Sequence, residues 1–192
     1  MKHLIVYAHP NPASFCSAIR EVYSSELARH GNSVEIVDLY KIGFKPALDS
    51  ADFAEIQSGK IPADIKAQQD KIAAADIITF IAPVWWLGVP AILKGYYDRV
   101  FLKGFAYNYT QKGPVPLLGE KNIIIINTTG NPREDYQRTG MNTCIEHSMS
   151  RGLFGFCGIK VMEHVFLYSV PFITQEERAK MLESIREMAA KL

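Results

Sequence analysis

Three short runs constrain this chain more than anything else in it: LIVYA at 4–8, IITFIA at 77–82 and IIIIN at 123–127. Each is continuously apolar and rich in β-branched residues, the pattern of a strand covered on both faces rather than one. Between them lie segments of helical periodicity. From 14 to 30, Phe15, Ala18, Ile19, Val22, Tyr23 and Leu27 share one face, and Gly31 supplies a stop. Further helices are expected at 63–75, at 90–102 with Pro90 in the first turn, at 142–156 and at 174–191, with strands at 33–38 and 159–168. Strands alternating with helices predict a parallel sheet with helices on both faces. The 192 residues suit a single domain spanning 1–192. Two connections, 39–62 and 103–121, are longer than such units need and read as irregular excursions.

In open parallel sheets a ligand sits beyond the carboxyl ends of the strands, where the strand order reverses. Three strand ends carry unusual loops: His9-Pro10-Asn11-Pro12-Ala13-Ser14, Pro83-Val84-Trp85-Trp86-Leu87-Gly88-Val89-Pro90, and Thr128-Thr129-Gly130-Asn131-Pro132. Familiar chemistries fail at these positions. No G-x-G-x-x-G follows the first strand, and there is no P-loop or G-x-S-x-G, which argues against a Rossmann dinucleotide site, an NTPase and a serine hydrolase. The strand ends lack the clustered acids of a receiver domain. Cys16 and Arg20 are too close for the phosphatase loop that needs five residues between them. The histidines and cysteines show no metal-ligand spacing, so no metal is expected.

The remaining fit is a planar aromatic ligand carrying a phosphate. The first loop runs into a helix N-terminus, which attracts anions. Adjacent Trp85 and Trp86 offer flat apolar surface if they are not simply packed away. Thr128, Thr129 and Gly130 offer hydroxyls and closely spaced backbone donors. The formal charge of +1 gives no bias toward nucleic acid or an anionic membrane. Three unpaired-looking cysteines and a short N-terminal apolar run predict a reducing, cytoplasmic setting without membrane insertion.

The run PVWWLGVPAILKGYYDRVF at 83–101, followed by FAYNY at 105–109, closely resembles the NAD(P)H:quinone oxidoreductase (DT-diaphorase) family. LIVYAHPNPASF, IINTTG and FCGIKV resemble it too, in the right order and across most of the chain. The resemblance implies a flavodoxin-like α/β fold, a five-stranded parallel sheet of order 2-1-3-4-5 with helices on both faces. It implies a flavin, FAD with FMN as the alternative, and ping-pong hydride transfer from NAD(P)H to quinones or related electrophilic aromatics.

Residue by residue, the resemblance places His9, Ser14, Phe15 and Cys16 at the flavin's phosphate arm. It places Pro83, Val84, Trp85, Trp86 and Leu87 along the ring edge, and Thr128, Thr129, Gly130 and Asn131 at the pyrimidine end. Asp98 matches an acid near the adenosine of FAD, and Tyr107 and Tyr109 match aromatics of a substrate cleft that lies between the subunits of a homodimer. Tyr136 matches the tyrosine of a catalytic Tyr–His pair. The histidine does not carry over: Asn142 takes its place by count, and His147 lies five residues further on. NADH and NADPH stay open as donors. Two other readings stand beside this one: a flavin-binding ancillary subunit of a glutathione-gated potassium efflux system, and an FMN azoreductase or nitroreductase.

Overall fold

The computed structural model describes residues 1–192. A central sheet of β1 (Lys2–Tyr7), β2 (Ser33–Asp38), β3 (Ile77–Pro83), β6 (Asn122–Thr128) and β7 (Lys160–Leu167) runs in the order β2-β1-β3-β6-β7. Every pairing is parallel. This is the expected 2-1-3-4-5 order once the two strands of a separate hairpin, β4 (Tyr107–Thr110) and β5 (Gly113–Pro116), are set aside.

The isoleucine runs occupy the middle of the sheet. Every residue of β3 is buried, as are Ile123 to Thr128 of β6, whereas the edge strands β2 and β7 bury only Val37 and Leu167. Alternation along β1 divides the core. Leu4 and Val6 join Phe80, Ile125, Tyr96 and Phe154 on one face, while Ile5 and Tyr7 join Ile19, Tyr23, Ile124 and Ile185 on the other. The second face is covered by α1 (Phe15–Arg29) and α7 (Gln175–Ala189). Ser14 caps α1 by accepting from the Ser17 N–H, and a reciprocal Thr174–Glu177 box caps α7.

The first face is covered by α3 (Ala63–Ala74), α4 (Ala91–Val100) and the region after β6. That region differs from the single helix expected at 142–156. It breaks into α5 (Arg133–Thr139), α6 (Met141–Glu146) and a π-helical segment, His147–Gly155. Gly140, at φ 71°, makes the break between α5 and α6. A Cβ on Gly155 would lie 2.9 Å from the Ser150 carbonyl oxygen, so glycine suits the widened turn.

The two long connections are more ordered than expected. The hairpin β4–β5 fills the second, and α2 (Ser50–Gln57) lies in the first. Arg99 of α4, 1% exposed, pins that first connection by donating to both Asp52 carboxylate oxygens at 2.8 and 2.9 Å, to Asp64, and to the Lys45 carbonyl. The guanidinium holds both carboxyls below their ordinary range. Pro46 lies so close to α4 that a Cβ at Gly95 would stand 2.1 Å from its carbonyl oxygen. No helix is long and apolar enough to cross a membrane.

Candidate functional site

The carboxyl ends of β1, β3 and β6 are adjacent, and side chains tie their loops together. Cys16 Sγ lies 3.2 Å from Thr128 Oγ1, joining the start of α1 to the end of β6. His9 meets Trp85 edge-on at a ring separation of 6.0 Å, joining the first loop to the second. The Val84 N–H donates to the Thr128 carbonyl at 2.8 Å, joining the second to the third.

The first loop is built to present a helix N-terminus. His9 Nδ1 accepts from the Asn11 N–H at 3.0 Å, and Asn11 Oδ1 accepts from the Ala13 N–H at 2.9 Å. Ser14 receives the Ser17 N–H and bonds the Tyr7 hydroxyl at 3.1 Å. The N–H groups of Phe15 and Cys16, the first two of α1, have no partner in the chain. They form an anion cradle with the positive end of the helix dipole behind it. Burial pushes the Cys16 thiol up to about 11, so it is a neutral thiol and not a nucleophile.

A cleft of about 290 Å³ opens beside this cradle between α1 and α7, lined by Ser14, Phe15, Gln175 and Arg178 among others. Arg178 donates to the Val170 carbonyl at 2.8 Å, and its Nε is buried without a partner. The sequence predicts a helix at 174–191 without singling out Arg178. One signal was there: a cation in the first turn of a helix runs against the dipole's preference.

The second loop turns sharply. Trp85 and Gly88 exchange backbone hydrogen bonds at 2.9 and 3.0 Å, and Trp86 and Leu87 between them have φ of 51° and 58°. This is the pattern of a type I′ turn, whose two central positions favour Asn and Gly. Two bulky residues here store on the order of 1–3 kcal/mol of strain each. The side chain of Trp86 is fully exposed at 102%, and Trp85 is 43% exposed. The pair is therefore not core.

The third loop is held by the Thr129 hydroxyl donating to the Asn131 carbonyl at 3.0 Å and by the Thr129 N–H donating to Leu167. Val84, Trp85, Trp86, Leu87, Gly130, Asn131, Tyr136 and Met141 enclose a cleft of about 540 Å³ that contains no charged side chain. The backbone N–H groups of Trp86, Leu87, Gly130 and Asn131 have no partner in the chain, nor does the Tyr136 hydroxyl. Tyr136 is 5% exposed and packs against Phe166 and Tyr168. Burial raises its pKa and the neighbouring Tyr168 adds to the effect, so its hydroxyl stays protonated and able to donate.

The three loops and Tyr136 thus come together as expected, but other positions do not join them. Asp98 is on α4, ion-paired with Lys94 at 2.6 Å, and faces a separate cleft rather than the α1 cradle. Tyr107 and Tyr109 pack with Phe156 in an aromatic group of their own, outside the walls of the loop cleft. Phe156 was not picked out from sequence. His147 is exposed on the π-helical segment and lines a different cleft from Tyr136, while Asn142 follows Met141 on α6.

A family model described as the flavodoxin-like fold matches residues 1–192. An uncharacterized NAD(P)H oxidoreductase of Haemophilus influenzae is 38% identical over 95% of this chain and 91% of its own length. Human ribosyldihydronicotinamide dehydrogenase [quinone] is 32% identical over 94% of this chain and 87% of its own. The solved NAD(P)H:quinone oxidoreductase of Methanothermobacter marburgensis superposes with a TM-score of 0.90 at 27% identity, over 99% of this chain and 98% of that one. The chain belongs to the flavodoxin-like family of NAD(P)H:quinone oxidoreductases.

Proposed function

We propose that this protein is a flavin-dependent NAD(P)H:quinone oxidoreductase that holds FAD across the three loops. The observation that carries the reading is the set of unpaired donors on residues around one uncharged, aromatic-walled cleft, beside a helix N-terminus with two free N–H groups. A planar ring with several carbonyl and ring-nitrogen acceptors matches the first, and a phosphate matches the second.

The residues present fit such a group. Phe15 and Cys16 N–H groups would receive a phosphate. Arg178, across the cleft beside them, suits a second one, which favours a diphosphate-bearing flavin over a mononucleotide. Trp85 and Trp86 would lie along the ring edge. When bound, a flavin supplies a two-electron redox centre between a nicotinamide donor and an aromatic acceptor. The chain's part is to orient it and stabilise the negative charge that reduction brings. With no cation in the cleft, that work falls to the Gly130 and Asn131 N–H groups and the Tyr136 hydroxyl, fixed dipoles that need no reorganisation.

A second copy of the chain would complete the acceptor side of this reading. Trp86, Tyr109 and Phe156 are exposed at 102%, 59% and 41%. The Tyr107–Tyr109–Phe156 group of a second copy would roof a cleft that the single chain leaves open. Heat release of the cofactor followed by chromatography, with light scattering for mass, tests the proposal. The expected result is a yellow dimer releasing FAD. Release of FMN alone would remove the role given to Arg178, and a colourless protein that takes up neither flavin would end the reading.

A further inference from the structure

One buried side chain joins the bases of two of these loops. Asn127 is 1% exposed, and its Nδ2 donates to the Ala82 carbonyl at 2.9 Å. Ala82 and Asn127 face each other in the β3–β6 register, one step before Pro83 and Thr128. Asn127 Oδ1 lies 2.8 Å from Nε2 of His164 on β7. Since the amide nitrogen is committed to a carbonyl, Oδ1 must accept, and His164 must carry its proton on Nε2. Its Nδ1 is then bare, and it is buried without a partner.

One irregularity brings His164 there. The pairing of β6 with β7 skips one residue, from Ile123↔Val161 to Ile124↔Glu163. Without that bulge His164 would stand opposite Ile126, on the α1/α7 face; with it, His164 stands opposite Ile125, on the face of Asn127. The π-helical segment packs over the same part of β7, and such segments concentrate at functional positions. A second line of contact runs from His164 through Phe166, stacked at 4.3 Å, to Tyr136.

The charged and titratable groups sharing His164's cleft of about 340 Å³ are Glu146 from α6, His147 and Arg151 from the π-helical segment, and Glu163 from β7. Acids and bases there are nearly balanced, and burial alone draws the imidazole down to about 4. Below that, a proton on Nδ1 has nothing to donate to.

We propose that His164 is a positioning residue for the cofactor site: its neutral imidazole holds the Asn127 amide, which spaces the two loops, and the imidazolium, a buried charge whose second N–H has no partner, swings out to solvent and takes the Nε2–H···Oδ1 bond with it. This rests on the flavin reading above. The test is titration of flavin-free protein with FAD, read by flavin fluorescence, at pH 7.5 and pH 3, with thermal unfolding measured alongside. Wild-type affinity falls by about tenfold at pH 3, where about nine-tenths of His164 is protonated. His164→Gln places an amide N–H where Nε2–H stood and cannot titrate. It keeps the pH 7.5 affinity within about twofold and loses much less in acid. His164→Leu, while still folded, loses about tenfold at pH 7.5. Equal acid losses in wild type and the Gln variant, or unchanged affinity in the Leu variant, would overturn the proposal. Failure of wild type to take up FAD at pH 7.5 would instead overturn the flavin reading on which it stands.

Discussion

Trp86→Asn should make the flavin-free protein more stable and the site worse. Trp86 sits at φ 51° with its side chain fully exposed, so truncating it removes no packing. A left-handed backbone costs an ordinary L-residue about 1–2 kcal/mol, most of which Asn avoids. Relief of about 1 kcal/mol corresponds to a rise of roughly 2–4 °C in the Tm of a chain this size. On the other side, losing an aromatic surface against a bound ring costs about 1–3 kcal/mol of affinity, taking base–aromatic stacking as the guide, or about 5- to 150-fold in Kd. Calorimetry of the apo-protein reads the first effect and fluorescence titration with FAD the second. The opposite signs are the test. A lower apo Tm would show that Trp86 is packed after all, and unchanged affinity would show that its strain serves something other than the cofactor.

Tyr136→Phe should slow reduction of bound flavin by at least about tenfold, below the 100- to 1,000-fold typical of a dry oxyanion site because solvent can replace part of the donor. His147→Gln, at an exposed position in another cleft, should change it little; rapid-mixing absorbance separates the two. Arg178→Met should weaken FAD binding by about tenfold or more while leaving FMN binding nearly unchanged, because only the longer cofactor presents a second phosphate. Stability should fall with acid ahead of carboxylate titration. His164 binds its proton near pH 4 when folded, below the unfolded value of 6.5, so its contribution is intact above 6.5 and lost as pH falls toward 4. The full loss is on the order of 3 kcal/mol. His3 shifts in the same direction, so the measured quantity is wild type minus His164→Gln in urea melts.

What could be read from sequence was set by periodicity and by rare residue clusters. Isoleucine runs announce buried parallel strands, and the loops after them are legible because the Trp-Trp pair and the Thr-Gly step that follow fit neither strand nor helix. The π-helical segment was hidden because Ile145, Met149 and Phe154 keep a spacing close enough to helical to pass as one ordinary helix. The I′ turn was hidden because Trp86-Leu87 lacks the Asn-Gly signature, which is the same reason that it is strained. His164 lay unnoticed inside a strand correctly placed at 159–168, since one bulged residue decides which face it joins and alternation in KVMEHVFL does not mark the bulge. Phe156 becomes visible only when the π-helical segment is laid against the hairpin, and Arg178, marked in sequence only as a cation in a helix's first turn, gains meaning when α7 is laid against α1.

The central claim is that donors on three loops hold a flavin through which NAD(P)H and a quinone exchange two electrons. Anaerobic titration of the flavin-loaded protein with NAD(P)H, followed by a small quinone, tests it most directly. The account predicts that the flavin absorbance bleaches with one equivalent of NAD(P)H and returns with one equivalent of quinone. A bound flavin that NAD(P)H leaves oxidised, or a reduced one that no quinone reoxidises, would contradict it.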